Sequence, residues 1–189
     1  MEIRPATVHD AEAILAVYAP YIRHSAVTFE YDVPDAEAFR ARMEGILAEY
    51  PFLVAEEGGR IVGYAYAAPF HGRAAFKHSA EVSIYLDGQH RRQGVGRALY
   101  RELESRLLKQ HVFVLYACIT AADRQVDPYV TDGSVRFHEK EGYRTVGEHR
   151  LCGYKFGRWY SVVWMEKVIA ERPDNPDPFI PYPALDGKS

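Results

Sequence analysis

Residues 78–119 run as an apolar strand, a basic loop carrying glycines, an amphipathic helix and a second apolar strand: HSAEVSIYL, DGQHRRQGVG, RALYRELESRLL and VFVLYACI. A helix between two strands implies a crossover connection, which limits the fold to one whose sheet contains a parallel pair. VFVLYACI shows no polar alternation, as expected of a strand buried on both faces. HSAEVSIYL does alternate: Ala80, Val82, Ile84 and Leu86 form an apolar side, while Ser79, Glu81, Ser83 and Tyr85 share the other.

The flanking sequence supplies more strands. Ile3 to Ala6 starts one, and Asp10 opens a helix whose Ile14, Val17, Tyr18, Tyr21 and Ile22 recur at helical spacing. Pro34 and Asp35 begin a second helix with Phe39, Met43, Ile46 and Leu47 on its buried side. FLVAEE and IVGYAYAAPF flank a glycine turn at Gly58-Gly59-Arg60 that suits an antiparallel hairpin. After a long polar loop over 121–133, the short helix SVRFHEKEG ends in a glycine cap, and Tyr143 to Val168 reads as two strands. The expected class is α/β (α+β): a mixed, mostly antiparallel central sheet flanked by helices. Residues 169–189 carry five prolines and few core formers, and are expected to be a tail outside the core domain of 1–168.

In HRRQGVGRAL a glycine-rich turn enters a helix, so several backbone N–H groups and the positive end of the helix dipole converge on one point. Phosphate suits such a place. Gly94 and Gly96 allow close approach, and Arg91, Arg92 and Arg97 offer charge-assisted hydrogen bonds. The segment lacks the Gly-Lys-Ser/Thr ending of a nucleoside-triphosphate loop, and Leu99 stands where a dinucleotide fingerprint requires glycine. Taken alone, the loop fits equally an exposed basic turn.

At 189 residues and a formal net charge of −3, the chain suits one domain without global attraction for nucleic acid or anionic membrane. No apolar run approaches the ~20 residues of a membrane span, and the N-terminus lacks a basic-then-apolar leader. Cys118 and Cys152 form no Cys-x-x-Cys pair and are expected to be reduced, partly buried thiols, which suggests a cytoplasmic protein. HEKEG lacks the second histidine of a zinc helix, and no metal is expected.

Strand AEVSIYL, loop RRQGVG and the following helix resemble the coenzyme A-binding core of the GNAT acetyltransferase superfamily, with Arg91, Gly94 and Gly96 fitting its loop pattern. Together with IRPAT, VAEEGGRIVGYA, FHEKEGY and KFGRWYSVVWMEK, the match spans about residues 3–168 and is similar to the phosphinothricin and methionine sulfoximine N-acetyltransferase branch. The resemblance implies acetyl-CoA as cosubstrate, a small-molecule amine acceptor and a homodimer. It implies that Ile84, Tyr85 and Leu86 bind the pantetheine arm through backbone groups, and that Arg91, Arg92, Gln93, Gly94, Val95, Gly96 and Arg97 hold the pyrophosphate, with Ser134 nearby. Glu81 matches the family's catalytic glutamate. His138 matches the branch's helix histidine, as proton shuttle, as donor to the departing thiolate, or as a buried polar support. Phe29, Glu30, His71, Arg73, Phe76 and Ser83 would wall the acceptor pocket, with Arg73 suited to a carboxylate. Thr131 stands where relatives carry asparagine. Lys155, Arg158 and Trp159 of KFGRW fit either substrate contact or dimer packing. Other open readings are an acetyltransferase for polyamines or peptide N-termini, and a non-catalytic coenzyme A sensor.

Overall fold

A computed structural model describes residues 1–121 and 127–185. Seven strands form one sheet in the order β1-β2-β3-β4-β5-β7-β6. They are β1 (Glu2–Pro5), β2 (Phe52–Glu57), β3 (Arg60–Pro69), β4 (Ser79–Leu86), β5 (Val114–Ala121), β6 (Arg144–Lys155) and β7 (Arg158–Val168). Helices α1 (Ala11–His24) and α2 (Ala36–Leu47) connect β1 to β2, α3 (Val95–Lys109) joins β4 to β5, and α4 (Gly133–Lys140) precedes β6. Every pairing is antiparallel except β4 with β5, the pair that the crossover helix α3 requires.

Local chemistry places these elements. Asp35 caps α2 by accepting a hydrogen bond from Ala38 N–H at 2.8 Å. The β2–β3 turn is the pair Gly58-Gly59, with φ of 58° and 77°, so Arg60 already belongs to β3. Two cores follow from the alternation of side chains. On one face α3 packs Leu99, Leu103 and Leu107 against Ala80, Val82, Leu115, Ala117 and Ile119. On the other, α1 and α2 pack Ile14, Tyr18, Ile22, Phe39 and Met43 over Phe52, Val54 and Tyr64.

The C-terminal segment departs from the expected tail. Phe179 packs on Tyr50 with ring centroids 5.3 Å apart, and Tyr182 is buried and closes the short helix α5 (Tyr182–Leu185) against the body. Polar groups anchor it. The Gln110 amide, fully buried, donates to Glu49 O at 2.7 Å and to Ile180 O at 2.8 Å, and Ile180 N–H returns a bond to Gln110 O at 3.2 Å. Tyr182 N–H also bonds Glu49 O at 3.0 Å, and Arg106 reaches the Tyr182 hydroxyl at 2.6 Å. The prolines here cost little entropy on docking, while two aromatic side chains supply the apolar burial.

Gln110→Ala removes the side-chain donor of Ile180 O and one of the two donors of Glu49 O, and is expected to lower stability by about 1–3 kcal/mol in urea denaturation. An unchanged midpoint would show the strap to be passive.

Candidate active site

The parallel pairing of β4 with β5 is brief: Ser79↔Val114, Ala80↔Leu115 and Glu81↔Tyr116 are its register partners. Beyond them the two strands part. Asp87 N–H donates to Val62 O at 2.8 Å, which fixes the alternation of β4 against β3. Odd-numbered residues therefore turn their main-chain groups toward β3, and even-numbered residues turn theirs toward β5. The C=O of Val82 and both main-chain groups of Ile84 thus lie beyond the last register pair and face the opening.

Of the three residues expected to offer backbone groups, only Ile84 is placed to do so. Tyr85 pairs with Tyr64 of β3, and Leu86 is engaged by the Tyr21 hydroxyl, which donates to Leu86 O at 2.5 Å and accepts from Leu86 N–H at 3.3 Å. Val82, not singled out from sequence, takes the second place. Its signal was present in the even-numbered alternation of HSAEVSIYL.

At the far end of the opening lies the N-terminus of α3. Gly94 takes φ 86°, a left-handed turn that disfavours side chains, and as N-cap it has no side chain with which to satisfy the helix. Ala98 N–H is the first to find a helical partner, Gly94 O, so the N–H groups of Val95, Gly96 and Arg97 have none within the helix. Gly96 is needed for packing: a Cβ there would stand 3.1 Å from the Phe137 ring. The arginines differ from expectation. Arg97 is paired with Glu141 at 2.9 Å, and Arg91 donates to the Tyr21 hydroxyl at 3.0 Å and lies over its ring. Gln93 donates to Gln89 O at 2.8 Å. Arg92, exposed and at φ 61°, has no such partner among the described residues. A groove of about 450 Å³ between α1 and residues 128–131 opens beside this loop, walled in part by Tyr21, Leu86, Arg91 and Thr131.

Glu81 stands where the strands begin to part, half-buried, and burial raises its carboxyl above the ordinary carboxylate range. Its side of the sheet carries Ser83 and Tyr85 from β4, and Tyr116 and Cys118 from β5. Phe70 stacks on Tyr116 at 4.0 Å, with His71 at 4.2 Å and Phe76 at 5.9 Å from Phe70, so residues 70–76 cover the register partner of Glu81. Arg73 is exposed and free of ion pairs among the described residues. From the opposite side, Phe29 fits over Gly153, where a Cβ would stand 2.3 Å from the ring. The carboxylate of Glu30 is committed to Arg42 at 2.6 Å and the Tyr18 hydroxyl at 3.2 Å. Cys118 and Cys152 are exposed, contrary to the partly buried thiols expected, because they lie on the uncovered side of the sheet and in the β6 bulge.

His138 lies on the other face. It is 3 % exposed; Nδ1 donates to Ser134 O at 2.8 Å, so Nε2 accepts from the Tyr100 hydroxyl at 2.7 Å. Burial lowers it to about 4. With both nitrogens used and the imidazole kept neutral, His138 joins α3 to α4, and the geometry does not place it as a proton shuttle. Ser134 is half-buried in the first turn of α4, and Thr131 Oγ1 accepts from Gly133 N–H at 3.3 Å. Five of the thirteen residues of the polar loop expected over 121–133, residues 122–126, lie outside the described residues. Among the described residues no group of three potential metal ligands occurs, and no helix is long and apolar enough to cross a membrane.

A parted β4/β5 pair with an uncapped helix N-terminus at its end gives this α/β fold an opening suited to an extended ligand with an anionic end. The chain belongs to the GNAT acetyltransferase family: the acetyltransferase (GNAT) domain matches residues 3–164. It is 34 % identical over 181 residues to a phosphinothricin N-acetyltransferase of Streptomyces viridochromogenes, covering 96 % of this chain and 94 % of that one. It is 30 % identical over 174 residues to an L-methionine sulfoximine/L-methionine sulfone acetyltransferase of Salmonella typhimurium, covering 90 % and 96 %. A GNAT phosphinothricin acetyltransferase from Sinorhizobium meliloti, solved in complex with AcCoA, superposes with a TM-score of 0.82 at 27 % identity, covering 96 % and 97 %.

Between pH 6.5 and pH 4 the unfolded chain takes up a proton at His138 that the folded chain refuses, so stability falls as pH drops through that window. At pH 4.5 this one group is expected to cost about 2–3 kcal/mol relative to pH 7, measurable as the difference in urea stability between wild type and His138→Leu at the two pH values. Equal pH slopes in both proteins would refute the buried neutral imidazole.

Proposed function

We propose that the protein transfers the acetyl group of acetyl-CoA to the primary amine of a small amino acid or amino-acid analogue of the phosphinothricin or methionine sulfoximine type. The observation that carries this reading is the half-buried carboxyl of Glu81 at the point where β4 and β5 part. The slot fits the donor: it offers unpartnered N–H groups at Val95, Gly96 and Arg97 for phosphate oxygens, and main-chain groups at Val82 and Ile84 for an amide-bearing arm. Acetyl-CoA supplies a thioester whose carbonyl carbon accepts a nucleophile.

Glu81 supplies the base. A free amino group is largely protonated at pH 7 and must lose a proton before it attacks. Desolvation makes the Glu81 carboxylate a stronger base than one in water, so proton transfer from the ammonium, directly or through water, becomes less uphill. Ile84 N–H, turned into the opening, is the donor for the developing oxyanion. An ordinary thiol ionises near pH 8.5, so the departing thiolate needs no dedicated acid. His138 holds α4 in place, and Arg73, which forms no ion pair among the described residues, is assigned to the acceptor's carboxylate.

Edge strand β6 and the hairpin tip expose Val146, Leu151, Tyr154 and Trp159 at 47 %, 51 %, 47 % and 59 %. This uncovered apolar edge supports a homodimer, and the two free thiols support a reducing, cytoplasmic setting. Sedimentation velocity is expected to give twice the mass of the 21.5 kDa chain, and a monomer at micromolar concentration would contradict it.

Glu81→Gln is expected to lower kcat/KM by about 10²–10⁴-fold, to leave acetyl-CoA affinity unchanged, and to abolish the acid limb of the pH–rate profile. For wild type that limb lies above the ordinary carboxylate range and activity is lost as pH falls through it. Release of coenzyme A would be followed with phosphinothricin, methionine sulfoximine, methionine sulfone, polyamines and peptide N-termini. Turnover on peptides or polyamines alone would reject the amino-acid acceptor, and saturable acetyl-CoA binding without turnover on any amine would reject the enzyme reading.

A further inference from the structure

Lys155 ends β6 with its side chain turned inward, 2 % exposed, while its neighbours Tyr154 and Trp159 face solvent. Its ammonium donates to Ser25 O at 2.9 Å and Thr28 O at 2.8 Å. The Phe156 ring lies 5.1 Å away, and no carboxylate forms an ion pair with it among the described residues. Glu30, the carboxylate that acts on it, forms its ion pair with Arg42 instead; a buried ammonium so placed is costly, and a methionine of similar shape would pack here without that cost. The two carbonyls it holds belong to the irregular segment between α1 and α2, which carries Phe29 and Glu30.

That segment has few other restraints toward the sheet. Phe29 lies on Gly153 and within 6.4 Å of Tyr160, and the Tyr31 hydroxyl donates to Tyr154 O at 2.5 Å. Ala26 N–H bonds Tyr129 O at 3.1 Å, and residues 127–130 are held in turn by Asp127, which accepts from Tyr129 N–H, Val130 N–H and Arg158. On its inner side Thr28 Oγ1 shares a hydrogen bond of 2.7 Å with the Tyr18 hydroxyl, which also reaches Glu30. The β6–β7 hairpin therefore grips the segment from one side and α1 from the other. Lys155 makes the buried half of that grip.

We propose that Lys155 is a positioning residue for acceptor specificity: by clamping the Ser25 and Thr28 carbonyls to the β6–β7 hairpin it fixes the wall that Phe29 presents to the amine. This rests on the proposed placement of the acceptor on the Glu81 face. It separates the two meanings open for KFGRW, since Lys155 points into the protein and acts through the backbone of another segment. The donor slot at Val82, Ile84 and 94–97 is not part of the clamp, so the two substrates respond differently to its loss.

The test compares wild type, Lys155→Met and Tyr31→Phe on the amine panel above. Lys155→Met is expected to raise KM for the preferred amine about tenfold or more and to narrow the preference among amines, with acetyl-CoA KM and kcat within about threefold of wild type. Tyr31→Phe, at a residue 64 % exposed where folding is not at stake, is expected to shift amine KM in the same direction by about two- to fivefold. A purely structural role would instead lower the active fraction, reducing kcat with both KM values unchanged. If Lys155→Met fails to fold, Tyr31→Phe decides. An active wild type whose folded variants keep the amine KM overturns this inference alone; a wild type that acetylates none of the amines overturns the acceptor reading and this inference with it.

Discussion

Everything at the site depends on a pairing that stops. β4 and β5 share a parallel ladder for three residues and then separate, because β5 continues along β7 while β4 continues along β3. A buried strand whose main-chain groups meet no partner is expensive, by about 1–3 kcal/mol for each group left unsatisfied. The cost is tolerable only where another molecule supplies the missing bonds. Val82 and Ile84 are therefore the edge proposed to take the donor's arm. The Tyr21 hydroxyl, bonded to both main-chain groups of Leu86, marks where that edge ends.

The two faces of the sheet divide the labour. Below, α3 and α4 close on Tyr100, Phe137, His138 and Tyr143, and this packing holds the N-terminus of α3 toward the opening. Above, Glu81 shares its side of the sheet with Tyr66 and Tyr116, and Phe70 stacks on Tyr116. The C-terminal strap joins this arrangement from the side: Lys77 pairs with Glu49 at 2.6 Å and lies over Phe179 at 5.0 Å, so the strap also steadies the residues leading into β4.

Much of this was legible from the chain. The alternation in HSAEVSIYL placed Glu81 opposite the apolar core, the loop HRRQGVGRAL announced an open helix N-terminus, and Pro34-Asp35 announced the start of α2. Other features were hidden for physical reasons. The strap reads as a tail because local composition is blind to Gln110 and Glu49, which are distant in sequence and offer it buried hydrogen bonds. His138 reads as catalytic or supporting until Tyr100 and Ser134 are seen to use both its nitrogens. The loop arginines Arg91, Arg92 and Arg97 look equivalent until Glu141 and Tyr21 occupy two of them. Lys155 reads as a substrate or dimer contact because its partners are backbone carbonyls, which leave no side-chain signal.

The central claim is that the parted strands and the open end of α3 form one slot for acetyl-CoA. Hydrogen–deuterium exchange at single-amide resolution, with and without saturating acetyl-CoA, tests it most directly. Slowed exchange is predicted at Ile84 and at Val95, Gly96 and Arg97, with β1 and β2 unaffected. Protection elsewhere on the molecule, with those amides unchanged, would contradict the account.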